Sequence, residues 1–237
     1  MGNPVLRGDL RARSASRKVW VIVAIYLGVL GMLILLGLPP ELGRAAAAHE
    51  GSLYAAGLAV QAVLVTYFAS ACMAQEIAVE GEKAPVDLAF APFSPSTIVV
   101  GKSLASLATV CYWLLLGTPL MVFAAGIRQL PLLAVILPTV VIAVTAWGIG
   151  QIGMFYSVVV ESEFSRSLAH WTTLIAVFAV TAVLPFPVRW ANPVVAATRA
   201  AEGALPAPVF VALVAYGALG VACALAVRAR LREFKAA

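Results

Sequence analysis

Six uninterrupted apolar runs, each close to the length of a bilayer-crossing helix, constrain this chain more than any other feature. They cover residues 19–38, 53–74, 102–126, 132–160, 168–186 and 209–227. About 20 apolar residues cross the hydrocarbon layer as a helix. The first run, VWVIVAIYLGVLGMLILLGL, is closed by Pro39 and Pro40. The runs are continuous rather than alternating, which selects helices over the strands of a membrane barrel. Charged residues make up only 11% of the chain, against about 25% in a soluble domain, and the mean hydropathy is +0.99. The predicted fold is all-α: a polytopic integral membrane protein of six transmembrane helices. Residues 1–18 are expected as an amphipathic cytoplasmic segment, 19–227 as the membrane domain and 228–237 as a basic tail. Within the domain, 75–101 is a cytoplasmic loop carrying a short helix, and 187–208 an extracytoplasmic segment.

Orientation follows from lysine and arginine, which accumulate on the cytoplasmic side of membrane proteins. Six spans put both termini on one side. That side carries twelve Lys and Arg, including Arg7, Arg11, Arg13, Arg17 and Lys18 before the first run and Arg228, Arg230, Arg232 and Lys235 after the last. The other side carries Arg44, Arg128, Arg189 and Arg199. Both termini are therefore expected in the cytoplasm. The net charge of +5 reads as topology and a match to anionic headgroups, not as a nucleic-acid surface. AAAAHE after the first run offers a small-residue cleavage site, but a signal h-region has about 7–15 residues. The run is longer than that and is expected to stay as a span.

Gly101, Lys102 and Ser103 are the last three residues of a P-loop, G-x-x-x-x-G-K-[ST]. Ser96 stands where the first glycine should be, and Thr97, Ile98, Val99 and Val100 form a stiff β-branched run. A phosphate cradle needs a backbone that curls so that its amides converge. Lys102 is expected instead to open the third span and snorkel to the headgroups. No nucleotide or other cofactor is expected on this chain.

The loop before it, QEIAVEGEKAPVDLAFAPFSPST, is the longest cytoplasmic connection. Pro85 suits the first position of a helix, and Asp87 suits its first turn. A helix over 85–91 would present Val86, Leu88 and Phe90 beside Glu80 and Glu82 and stop before Pro92. On chemistry alone, this knob either docks a soluble partner or pins the loop to the headgroups.

These residues resemble the signature of type-2 ABC exporter permeases (ABC-2 type membrane proteins). There, E-x-E-[KR]-G-T-L-[DE]-x-L-L leads to P-[VL]-S-x-x-x-I-[VL]-x-G-K at the start of the third span. The chain has Glu80, Glu82, Lys83, Asp87 and Leu88, then Pro92, Phe93, Ser94, Ile98, Val99, Gly101 and Lys102. Ala84 and Pro85 depart from the family's Gly-Thr. Residues 148–170 and 184–208, with Asn192-Pro193, resemble the family's fourth span and its segment before the last span. The resemblance implies a non-catalytic subunit that forms the translocation pathway as a homo- or heterodimer. It implies a separate ATPase subunit, holding ATP and Mg²⁺, that grips the helix near 85–91. The residues it places at that coupling are Glu80, Glu82, Pro85, Asp87, Leu88, Phe90, Pro92, Gly101 and Lys102.

Polar groups inside spans are costly and often functional. Gln61, Thr66 and Ser70 fall near one face of the second span, and Gln151 lies in the fourth, followed by Ser157. They either line a pathway or hydrogen-bond between helices as packing. His49 and His170 are too scattered for a metal site and read as structural residues at span ends, and Glu161 and Glu163 read as solvated loop or a contact with a partner ATPase. Trp20, Trp113, Trp147, Trp171 and Trp190 read as interface anchors or packing. Gly148, Gly150 and Gly153 read as sites of close helix approach or as a hinge, and Cys72, Cys111 and Cys223 as reduced fillers in apolar runs. Two other functions compete with the permease. A membrane-embedded lipid-modifying enzyme would show activity as the purified chain alone. A scaffold or assembly subunit would tolerate mutation of 85–91.

Overall fold

The computed structural model of the chain describes residues 5–6, 8, 17–37, 46–76, 93–127, 129–185, 188–202 and 207–236. Six of its helices are long and apolar enough to cross a membrane. The first four spans are Arg17–Gly37, Ala46–Glu76, Pro95–Ile127 and Leu133–Val159. The fifth is Glu163–Ile175 with a continuation to Val183, and the sixth is Ala207–Ala236. A 3-10 turn, Val188–Ala191, and a helix, Pro193–Ala201, join the last two. The chain is an all-α polytopic membrane protein, and no strand occurs among the described residues. The expected amphipathic segment over 1–18 lies mostly outside those residues.

Hydropathy places the spans, but local chemistry sets their ends. The third helix starts at Pro95, not at Lys102. Ser94 stands before it, its Oγ accepting from the Thr97 amide at 3.2 Å and pairing with the Thr97 hydroxyl at 2.8 Å. Serine at the cap with proline at the first helical position is a strong start signal. The fifth helix starts at Glu163, not 168, with Ser162 as its cap and Glu163 at the positive end of the helix dipole. Arg166, expected in a loop, lies on this helix and donates to the carbonyls of Val160 and Glu161 at 3.2–3.3 Å. It thereby satisfies the free end of the fourth span. The residues expected as a basic tail after 227 continue the sixth helix to Ala236. Arg230 pairs with Glu233 at 2.7 Å and lies over Phe234, side-chain contacts at helical spacing.

The second and fourth spans form the centre, with about half of each buried, whereas only 11% of the fifth is. Tyr26, Leu30, Tyr54, Leu58, Trp113, Ile142 and Ile149 anchor the main core. A second cluster joins Met73, Ile98, Val99, Met154, Val227 and Leu231. It ties the trailing ends of the second, fourth and sixth spans to the start of the third, and so marks the end of the bundle that bears the C-terminus. Leu36, Leu115, Phe164, Val183 and Phe210 are exposed. Apolar exposure on this scale is adverse in water and ordinary against lipid, where the backbone rather than the side chain must be satisfied.

Two prolines lie inside spans. Pro138 has no N–H to give to the carbonyl of Ala134, one turn earlier. The Tyr54 hydroxyl of the second span donates to that carbonyl at 2.8 Å. Neighbouring side chains satisfy proline-freed carbonyls in this way in membranes. We expect Tyr54→Phe to cost about 1 kcal/mol of unfolding free energy. In a Pro138→Ala background, where a backbone N–H returns, the same change costs much less. A double-mutant cycle on detergent-solubilised protein checks this, and additive effects would contradict the assignment.

Candidate functional site: a polar seam inside the bundle

Gly101, Lys102 and Ser103 sit two turns inside a regular helix. Helical amides point along the axis at carbonyls four residues back, so they cannot converge on a phosphate. Nor does Lys102 snorkel: it is 7% exposed, because the helix begins seven residues before it and carries its side chain into the bundle. Ser103 donates to Gln151 Oε1 at 2.8 Å and joins the third span to the fourth. Of the other residues assigned to ATPase coupling, Glu80, Glu82, Pro85, Asp87, Leu88, Phe90 and Pro92 lie outside the described residues.

Gln61, Thr66, Ser70 and Gln151 are all buried, at 0–1% exposure. Gln61 Nε2 donates to the Tyr26 hydroxyl of the first span at 3.3 Å. Ser70 donates its single proton to the Thr66 carbonyl at 2.6 Å. Its Oγ also lies 3.3 Å from His170 Nε2, a hydroxyl–imidazole contact between the second and fifth spans. His170 is a buried inter-span contact rather than a span-end residue. Tyr156 and Thr173 add a 2.9 Å hydroxyl pair between the fourth and fifth spans. Gln61 and Ser70 thus tie the second span to the first and fifth, Gln151 ties the fourth to the third, and the Tyr156–Thr173 pair joins the two groups.

Several atoms of this set have no hydrogen-bond partner among the described residues: Gln61 Oε1, Thr66 Oγ1 and Gln151 Nε2, with Ser106 Oγ and Thr145 Oγ1. Tyr54 bonds Ala134, and Met73 lies under Gly150. That register puts Thr66 and Thr145 at one depth between the two central spans. The orphaned atoms include amide and hydroxyl groups but no carboxylate. They suit water or hydroxyl-bearing and amide-bearing groups, and they offer no charge to a cation. No cluster of three or more metal-ligating His, Cys, Asp or Glu occurs among the described residues.

Compared with known proteins, the chain matches no protein-family model and no curated protein.

Small residues create the space for the seam. A Cβ on Gly117 would strike the Tyr26 hydroxyl and lie 3.0 Å from Gln61 Nε2. We expect Gly117→Ala to break the Gln61–Tyr26 bond and cost about 2 kcal/mol. Tyr26→Phe, which removes the struck atom, should recover part of that loss. Melting of the two single variants and the double variant checks the sign of the coupling, and a double variant no better than Gly117→Ala would refute it. A Cβ on Gly150 would make only tight contact, 3.3 Å from Ser106 Oγ and 3.5 Å from Met73 Cγ. Trp113 is packing rather than an anchor: it meets Tyr26 edge-on at 5.5 Å and stacks on Phe68 at 5.2 Å.

Proposed function

We propose that this chain is the membrane-spanning permease subunit of an ATP-driven exporter. It works as a dimer in a prokaryotic inner membrane with both termini cytoplasmic, and ATP is hydrolysed on a separate subunit. The observation that carries this reading is the start of the third span. The acidic and apolar sequence over 77–92 precedes, in the chain, a helix capped at Ser94. The first turn of that helix packs Ile98 and Val99 against Met73, Met154, Val227 and Leu231. A force on the loop is delivered through one stiff element to the ends of three other spans. Closely packed interiors pass such displacements on rather than absorbing them. The neutral, partly unsatisfied groups between the second, third and fourth spans supply what a polar route through lipid needs. The distribution of Lys and Arg supports the orientation.

The test is purification of the tagged chain from its own membranes in mild detergent, with mass spectrometry and an ATPase assay on the eluate. A stoichiometric soluble partner with a complete G-x-x-x-x-G-K-[ST] motif, active in hydrolysis, is the expected result. A chain that emerges alone and inert towards ATP would overturn the proposal.

A further inference from the structure

The fifth span changes register part-way. From Ala176 to Val180 the helix widens to a π-turn, in which the Thr181 amide bonds the carbonyl of Ala176, five residues back. Beyond it comes one α-turn, Thr181–Val183, and the helix ends at Leu184 and Pro185. The widened turn contains no proline or glycine to explain it.

Its support comes from the connection to the sixth span. Asn192 is 1% exposed. Its Nδ2 donates to the Phe178 carbonyl at 3.0 Å and the Thr181 hydroxyl at 2.9 Å, with the Val177 carbonyl at 3.4 Å. Thr181 in turn donates to the Val177 carbonyl. The other end of the same amide caps the helix Pro193–Ala201: Oδ1 accepts from Val194 N at 2.9 Å and Val195 N at 3.2 Å. The carbonyl just before it, on Ala191, accepts from the Tyr216 hydroxyl of the sixth span at 2.6 Å. The first half of the fifth span is held by Arg166, His170 and Thr173. No residue from Ala176 to Val183 is fully buried. The outer half is therefore loosely packed, and Asn192 is its polar tie.

We infer that Asn192 is a positioning residue that holds the end of the fifth span in one of two helical registers. A π-turn is an α-helix with one inserted residue, rare and concentrated at functional sites. When the Asn192 donors leave, the turn closes to α. Every residue beyond it then rotates by about 100° and moves ~1.5 Å along the axis. The switch stands on these contacts alone. That it opens or closes the mouth of a pathway rests on the permease reading.

The experiment is nitroxide scanning of Ala182, Val183 and Leu184 in the purified chain, reading accessibility to oxygen against a reference scan of residues 168–175. Asn192→Asp and Asn192→Ser keep an oxygen for the Val194 and Val195 amides and remove both N–H donors. The accessibility pattern at 182–184 should shift by one residue in both variants, while amide exchange at 194–200 stays as in the parent chain. Thr181→Val, which removes one of the Asn192 contacts without touching the cap and leaves the Phe178 bond, shifts part of the population in the same direction if the asparagine variants fail to fold. An unshifted pattern, or equal loosening of both segments, would overturn the inference. Neither measurement involves a partner ATPase, so failure here is distinguishable from failure of the permease reading.

Discussion

Gly148→Ala should destabilise the bundle by about 3 kcal/mol, and Gly148→Leu should prevent its assembly. At Gly148 the fourth span meets the sixth backbone to backbone. A Cβ there would collide with the Tyr216 carbonyl oxygen and lie 3.1 Å from its carbon. From the other side, a Cβ on Gly220 would lie 2.6 Å from the Trp147 ring and 3.1 Å from the Gly148 Cα. Small residues let spans approach this closely, and the dispersion contact so gained replaces the hydrophobic effect that lipid does not supply. A flexible side chain could move aside for a methyl group; a helical carbonyl cannot. The two spans must separate along their shared length, and overpacking of this kind costs at least 1–3 kcal/mol. Gly28→Ala is the matched control, since nothing lies within 4 Å of its Cβ position and alanine is the better helix former. Thermal unfolding in detergent should show Gly148→Ala melting several degrees below the parent, with Gly28→Ala at or above it. Equal melting of the two variants would mean that the spans do not cross at Gly148.

The existence of the spans was legible because lipid imposes one length on every apolar helix. Their ends were not, because they answer to different physics. Ser94-Pro95 and Ser162-Glu163 are ordinary helix starts, placed where hydropathy has already fallen. Arg228 to Ala236 stays helical because its residues are good helix formers, not because they are apolar. The seam was half legible. Gln61 and Gln151 stand out because an amide in a span must find a partner. Ser106 and Thr145 do not, because a hydroxyl in a helix usually bonds the carbonyl one turn back. Thr109, Thr118 and Thr139 do so, whereas Ser106 and Thr145 do not. Only the packing distinguishes the two groups. The π-turn had no local signal at all, since its support comes from Asn192, more than ten residues downstream.

On the permease reading, Leu88→Asp should strip the ATPase subunit from the complex while leaving the membrane bundle folded. Val86, Leu88 and Phe90 supply the apolar part of the loop, and Glu80, Glu82 and Asp87 its charge. A carboxylate forced into the apolar centre of a contact, with no partner, costs several kcal/mol. Each 1.4 kcal/mol is tenfold in affinity, so binding should weaken by at least about 100-fold. Leu88→Met, similar in volume and apolar, should retain the subunit. Asp87→Arg reverses a charge at the same contact and should release hydrolysis from transport. The measurement is the ratio of ATPase to permease in the mild-detergent eluate, with hydrolysis and the melting temperature of the permease taken on the same samples. A lost partner with unchanged melting places docking on this loop. A lost partner with lowered melting would instead mean that Leu88 belongs to the fold of the bundle. A retained partner would remove this loop from the coupling and return it to the alternative of a headgroup-bound helix. Because Ile98 and Val99 follow in the same helix that leaves the loop, a loop that docks the ATPase is mechanically joined to the ends of the second, fourth and sixth spans.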